Sequence, residues 1–228
     1  MTRLIWLSET QDPQWFPPVE LALKEPEGLL AAGGDLSPQR LLAAYQRGIF
    51  PWYSQQQPIL WWSPDPRMVL FPPQFKCSRS LGKTLRNGPF KTHLDRDFGG
   101  VIRACAAPRR SGPGTWLSEP MMSAYQQLHA LGHAHSVETW QGEDLVGGLY
   151  GVHLGGVFFG ESMFSRARDA SKVALARLVQ ECDTRGIRLI DCQVASDHLL
   201  SLGAREIRRA EFLDGLRQWA RPTPSKWA

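Results

Sequence analysis

Residues 170–193, ASKVALARLVQECDTRGIRLIDCQ, decide how the rest of the chain is read. Leu175, Leu178, Val179 and Cys182 recur at helical spacing, Gly186 supplies a stop, and Leu189-Ile190-Asp191-Cys192-Gln193 follows at once. The spacing predicts a helix from about Ala170 to Arg185, with Asp169 as its cap, feeding a short buried strand. Side chains alternate along a strand, so Asp191 and Gln193 are expected on one face and Cys192 on the other. A carboxylate at the end of a buried strand must be hydrogen-bonded or paired, because leaving it alone is costly. Gln193 is a candidate partner, and such a pair could orient an attacking amine and accept or relay its proton. A structural pair that merely closes the strand is the alternative. Cys192 is not expected to be a nucleophile, since it faces away and no histidine motif lies near it to activate the thiol.

Upstream, His135–Trp140, Leu145–Tyr150 and Val157–Gly160 read as strands separated by turn residues, an antiparallel meander. A helix from Ser118 to about Leu131 precedes them, with Met121, Tyr125 and Leu128 as its apolar stripe and Gly132 as its stop. Downstream, Ser196 caps a short helix ending at Gly203, and Glu211–Trp219 forms a last amphipathic segment. Meander, helix, strand, helix is the order of the acyltransferase fold of the N-acetyltransferase type, a statement about fold and not about function. Near the N-terminus, Ser37-Pro38 opens a helix with Leu41, Leu42 and Tyr45 on one face, Gly48 closes it, and an aromatic loop, Ile49–Tyr53, leaves it. Trp61-Trp62-Ser63-Pro64-Asp65-Pro66-Arg67 reads as a junction. The expected architecture is therefore α+β: a small N-terminal α/β domain over residues 1–62, joined to an acetyltransferase-like (GNAT-type) C-terminal domain over residues 63–228.

Composition narrows the function classes. The apolar share is 43% and the charged share 21% of 228 residues, the mix of a folded globular chain. No run approaches the ~18 apolar residues of a membrane helix, and no signal-peptide core develops, so a cytoplasmic, membrane-free protein is expected. The four cysteines lack metal or disulfide spacing, and the six histidines do not converge, so no metal is expected. Lys76, Arg79, Lys83, Arg86 and Lys91 fall in a stretch without any acidic residue. That stretch reads as a phosphate-facing surface or as a solvated helix face, with Leu81 and Leu85 turned inward. Nine tryptophans are many for this length; Trp52, Trp61 and Trp62 lie among prolines, where indoles can be presented for base stacking or buried as core. Gly160-Glu161-Ser162-Met163-Phe164 fails the serine-hydrolase elbow at Phe164, and Glu161 is either a site for a cationic ligand group or a surface carboxylate. The segment before the long helix, Ser165–Ala170, has no glycine, which disfavours coenzyme A at that helix N-terminus.

Taken together, GLLAAGGDLSPQRLLAAYQRGIFPWY (28–53), WWSPDPR (61–67), GTWLSEPMMSAYQQLHALGHAHSVETW (114–140), LVGGLYG (145–151), GESMFS (160–165), ASKVALARL (170–178), LIDCQ (189–193) and HLLSLGA (198–204) resemble the leucyl/phenylalanyl-tRNA–protein transferase family. The resemblance implies transfer of Leu or Phe, and Met less well, from aminoacyl-tRNA to proteins with an N-terminal Arg or Lys. Such transfer marks the acceptor for N-degron proteolysis, and the resemblance implies neither cofactor nor metal. Carried onto matching positions, it implies that Gln193 takes the proton of the acceptor amine and that Asp191 polarises it. Trp52 and Trp116 would bind the terminal adenosine of the tRNA, and Glu161 would hold the acceptor. Phe158, Met163 and Phe164 are expected to line the aminoacyl side-chain pocket. Lys76, Arg79, Lys83 and Arg86 are expected along the acceptor stem. A coenzyme A-dependent acetyltransferase and a non-catalytic RNA-binding module are the competing classes. The first lacks its glycine turn here, and the second leaves Asp191, Gln193 and GESMFS without a purpose.

Overall fold

The computed structural model describes residues 4–108 and 117–227. Its first part holds β1 (Ile5–Leu7), β2 (Leu29–Gly33), α1 (Pro38–Gln46), β3 (Phe50–Pro51) and β4 (Leu60–Trp62). The four strands form one sheet in the order β1-β2-β4-β3, with β1 and β2 parallel and the other pairs antiparallel. α1 begins and ends as its sequence dictates. The Ser37 hydroxyl accepts from the Arg40 amide at 3.4 Å, Pro38 fills the first turn, and Gly48 takes the left-handed φ of +71° that follows the cap.

The second part runs β5 (Arg67–Leu70), α2 (Arg79–Asn87), β6 (Phe90–Leu94), α3 (Phe98–Ala106), α4 (Glu119–Ala130), β7 (Ala134–Gln141), β8 (Asp144–Leu154), β9 (Val157–Ser165), α5 (Ala170–Arg185), β10 (Leu189–Gln193), α6 (Asp197–Ser201), β11 (Arg205–Ile207) and α7 (Arg209–Trp219). Its seven strands lie in the order β11-β5-β10-β9-β8-β7-β6. β7, β8 and β9 form the antiparallel meander, and β10 returns parallel to β9 after the α5 crossover. This is the acetyltransferase-like α+β arrangement that the order of elements implies.

Both faces of the large sheet are covered, which explains why its strands read as apolar runs. On one face Tyr150, Val152 and Phe159 pack with α3, α4, α1 and the small sheet in a single cluster that includes Leu41, Tyr45, Trp61, Phe98, Tyr125 and Leu128. On the other face Leu149, Phe158 and Ile190 pack with Leu175, Leu178 and Cys182 of α5, and Trp227 closes that cluster from the C-terminal segment. Gly147 lets α5 settle onto β8: a Cβ there would stand 2.5 Å from the Ala170 Cβ.

Several local expectations change. Asp169 precedes α5 in a left-handed conformation (φ +64°), and its carboxylate pairs with Lys172 at 3.1 Å and caps nothing. Ser118 stands at the start of α4 without a side-chain cap bond. Leu85 is exposed, and only Leu81 of α2 is buried, so this helix is held by a narrower stripe than its spacing implies. Trp61 belongs to β4 and is fully buried, with its indole N–H donating to the Gly33 carbonyl at 2.9 Å. The proline-rich junction is confined to residues 63–66, between the two sheets.

Candidate active site

The parallel pairing of β9 and β10 stops where polar side chains begin. Leu189, Ile190 and Asp191 pair with Val157, Phe158 and Phe159, and beyond them the strands carry no further pairing with each other. Each strand is irregular just past that point. β9 has one more residue than its partner β8 between Gly160 and Ser162, so Glu161 is the extra residue of a bulge. β10 shifts register against β5 between Asp191 and Gln193, where Gln193 takes a left-handed φ of +64°. Bulges re-aim side chains, and here two adjacent strands re-aim a carboxyl and a carboxamide at each other. The Gln193 Nε2 donates to Glu161 Oε1 at 2.9 Å.

Asp191 is therefore not the side-chain partner of Gln193, a correction to the alternation expected from the sequence. Its carboxylate is fully buried and takes both arms of Arg67, Nε at 2.8 Å and Nη2 at 2.6 Å. The Gln193 backbone amide donates to the same Asp191 Oδ1 at 3.0 Å, so Asp191 fixes the left-handed backbone and not the carboxamide. Arg67 spends its remaining Nη1 on the Gly48 carbonyl at 3.1 Å, and its guanidinium carbon lies over the rings of Phe50 and Phe212, 4.8 and 4.6 Å from their centres. A bidentate pair with every guanidinium nitrogen engaged is the form in which a buried charge is tolerated.

Glu161 sits where both faces of the sheet can reach it. Tyr45 of α1 approaches Oε1 at 2.7 Å and Tyr125 of α4 approaches Oε2 at 2.6 Å, while the two phenolic oxygens are 2.7 Å apart. Burial pushes the Glu161 carboxyl up to about 7. The hydrogen bonds from Tyr125, Tyr45 and Gln193 oppose that rise, and the nearby Asp191 charge adds to it. Burial, and after it the Glu161 charge, holds both tyrosines well above their ordinary value.

Between β9, β10, α5 and α6 lies a cavity of about 380 Å³. Its wall is largely apolar, from Leu149, Phe158, Met163, Leu175, Leu178 and Ile190, with Glu161 and Gln193 among its polar members. Phe158 and Met163 both line this cavity. Phe164 does not: the Glu161 bulge resets the alternation, and Phe164 packs with the opposite cluster. Cys192 lines the cavity beside Gln193 instead of facing away, and its thiol is raised far above the ordinary range by burial and then by Asp191, which removes it as a nucleophile.

The other anticipated residues are more peripheral. Trp52 is 45% exposed and stands edge-on to Trp62 at 5.6 Å, with the Trp62 indole N–H donating to its carbonyl at 2.6 Å. Trp116 lies outside the described residues, as do Arg109 and Arg110. Lys76, Arg79, Lys83 and Arg86 are all exposed, and among the described residues none takes part in an ion pair. Arg67, Tyr45 and Tyr125 are the site residues that sequence reasoning did not single out. Arg67 ends the WWSPDPR junction, and both tyrosines sat on apolar helix stripes, where a phenol reads as core.

A model of the family described as leucyl/phenylalanyl-tRNA protein transferase matches residues 69–217, and a model of that family's N-terminal domain matches residues 34–65. The leucyl/phenylalanyl-tRNA–protein transferase of Pseudomonas aeruginosa is 58% identical over 222 residues, 97% of each chain. That of Aromatoleum aromaticum is 57% identical over 225 residues, 98% of this chain and 94% of the other. That of Cellvibrio japonicus is 64% identical over 197 residues, 86% and 84% of the two chains. Solved structures that align with this one include a GCN5-related N-acetyltransferase from Kribbella flavida, with TM-score 0.41 and 11% identity over 74% of this chain and 60% of that one. Another is L-PGS from Bacillus licheniformis, with TM-score 0.42 and 13% identity over 71% and 54%.

The ion pair at the base of the site predicts an asymmetric response to mutation. Arg67→Met alone leaves Asp191 buried and unpaired and should lower the unfolding free energy by roughly 3–5 kcal/mol in denaturant titrations. Arg67→Met combined with Asp191→Leu should recover much of that loss while leaving Gln193 without its backbone anchor. A double variant no more stable than the single one would show that the charge pair is not the source of the loss.

Proposed function

Because the chain belongs to the leucyl/phenylalanyl-tRNA protein transferase family, we propose that it moves leucine or phenylalanine from aminoacyl-tRNA to the N-terminal arginine or lysine of acceptor proteins. Methionine is a poorer donor in this reading, and the modified protein is thereby marked for N-degron proteolysis in the cytoplasm. The observation that carries the proposal is the placing of the Gln193 carboxamide, locked to Glu161, beside an apolar cavity of about 380 Å³. That cavity suits one apolar side chain that is not branched at Cβ, with Phe158 and Met163 against it. Donors differing by a methyl group are separated by only about 1–3 kcal/mol in such a pocket.

An aminoacyl ester is already activated, so the enzyme's task is to hold amine and carbonyl carbon together. The acceptor amine attacks that carbon, a peptide bond forms, and the terminal adenosine keeps the ester oxygen as a hydroxyl. Glu161 accepts from the carboxamide nitrogen, which leaves the Gln193 carbonyl oxygen free to accept from the N–H of the incoming amine. A neutral carboxamide is a poor base, so Gln193 first positions the amine, and the adjacent ribose hydroxyl is suited to relay the proton. Asp191 acts one step back, by holding the Gln193 backbone. Glu161 helps hold the acceptor end of the site, and Trp52, with Trp116, offers indole faces to the terminal adenosine. The exposed, unpaired cations of α2 and Lys76 are suited to phosphates of the acceptor stem, a contact that ignores sequence.

The defining assay is transfer of labelled leucine from charged tRNA to a peptide beginning with Arg, compared with one beginning with Ala. Product is expected only with the first, and equal labelling of both would overturn the acceptor assignment. Gln193→Ala should slow transfer by roughly a hundredfold or more while leaving aminoacyl-tRNA binding nearly intact. Wild-type turnover in that variant would remove the residue from the reaction.

A second expectation concerns the basic helix. Lys83→Ala together with Arg86→Ala should weaken aminoacyl-tRNA binding and reduce the slope of log affinity against log salt by about 1–2. An unchanged slope would mean that these side chains meet no phosphate.

A further inference from the structure

Three oxygen–oxygen contacts close a ring at the edge of the site: Tyr45 to Glu161 at 2.7 Å, Tyr125 to Glu161 at 2.6 Å, and Tyr45 to Tyr125 at 2.7 Å. Each contact is a hydrogen bond and needs one proton. Two phenols supply two protons, and an ionised carboxylate supplies none. With Glu161 ionised, one contact would set two oxygen lone pairs against each other at 2.7 Å without a hydrogen between them.

We propose that the resting site contains a third proton, carried by Glu161 as a neutral carboxylic acid within a closed ring with Tyr45 and Tyr125. Protonated Oε2 donates to Tyr125, Tyr125 donates to Tyr45, and Tyr45 donates to Oε1, which also accepts from Gln193 Nε2. Every contact then has its hydrogen. Tyr45 and Tyr125 are positioning residues: through Glu161 they set the Gln193 carboxamide.

The surrounding groups favour the neutral form. Tyr150 of β8 is buried behind the ring, raised well above its ordinary value by burial and then by the Glu161 charge, with Cys105 of α3 adding to the rise. On β10 stand the Asp191 carboxylate, neutralised by Arg67 of β5, and the buried Cys192 thiol. His198 of α6, in the cavity wall, is lowered by burial and then by Lys172. Burial raising Glu161 to about 7 points the same way.

The consequence, which rests on the aminoacyl-transfer reading, is a site without net charge below the Glu161 midpoint. An acceptor α-amino group has an ordinary pKa of about 7.7–8.0 and must lose its proton before it can attack. A carboxylate beside it would stabilise the unreactive ammonium, whereas a neutral ring does not. Glu161 thus favours the free amine by withholding a negative charge.

The proton itself can be tested without any substrate. In ¹³C-edited infrared or carbon NMR spectra of protein labelled at glutamate, the Glu161 carboxyl should be neutral at pH 6 and ionise with a midpoint near 7. It is told apart from Glu138, which burial also raises, by its loss in the Glu161 variant. Glu161→Gln should delete that signal; if this variant does not fold, Tyr45→Phe should shift the same signal and leave the other glutamates in place. A Glu161 signal already ionised at pH 6 would overturn the ring. The sign for stability follows: the folded state keeps this proton where the unfolded state has lost it, so unfolding free energy should fall as pH rises from 4.5 to 7. The catalytic consequence is read separately, in kcat/KM against pH for the Arg peptide, corrected for spontaneous ester hydrolysis. Wild type should decline on the alkaline side as Glu161 ionises, and Glu161→Gln should lack that decline. A decline identical in both would overturn the consequence while leaving the spectroscopic result standing, and absence of transfer altogether would instead overturn the function.

Discussion

The buried pair of Arg67 and Asp191 is the constraint on which the rest of the site is arranged. Neither side chain reaches water, and removing two charges from solvent is compensated only where geometry and hydrogen bonding are complete. Here both carboxylate oxygens accept from the guanidinium, the remaining guanidinium nitrogen finds the Gly48 carbonyl, and the rings of Phe50 and Phe212 lie close against it. These partners come from the end of α1, from β3, β5, β10 and α7, so the pair can form only when all of them are in place. Asp191 then has one lone pair for the Gln193 amide, and that bond offsets the cost of a left-handed backbone at a residue that is not glycine. The strained turn is what lifts the carboxamide out of the alternation and towards β9.

Glu161 is delivered by a different device with the same result. A β-bulge adds one residue to β9 opposite Tyr150 and Gly151, at the point where its pairing with β10 has ended. The separating strands leave unpaired backbone and space, and the apolar side chains of α5 and β9 line that space as a cavity. Polar chemistry at its edge and apolar wall within follow from the same divergence. The Gln193 carboxamide and the cavity lie side by side because they share the ends of two neighbouring strands.

Local signals in the sequence were sufficient for elements that are locally specified. α1, α5 and the meander have caps, glycine stops or periodic apolar residues within a few positions, and they form as those signals require. α3 was not read, because Gly99 and Gly100 dilute its propensity, although Asp97 does cap it through the Gly100 amide at 2.7 Å. At the site, Asp191, Gln193, Glu161, Phe158 and Met163 could be named in advance. Their partnerships could not. Arg67 is 124 residues from Asp191, and Tyr45 is 116 residues from Glu161, distances at which pattern carries no information. Alternation also fails at a bulge, and both errors of facing, Phe164 and Cys192, lie within three residues of one.

The division of the chain after residue 62, proposed from sequence, separates two sheets but not two cores. Trp61 of the small sheet and Tyr45 of α1 belong to the same buried cluster as Tyr150 and Phe159 of the large one. The first part of the chain also supplies the Gly48 carbonyl and Phe50 ring that complete Arg67, and the phenol that meets Glu161. An unpaired donor on Arg67 and a missing partner on Glu161 would be left if the small sheet moved away, each at the cost of a buried polar group without its bond. Docking of the two sheets is therefore part of building the site. Because Trp52 follows Phe50 by two residues, a group bound against that exposed indole is carried on the same segment that closes over Arg67. The small N-terminal sheet is thereby tied through Phe50 and Gly48 to the charge pair whose Asp191 anchors the Gln193 backbone on a different sheet.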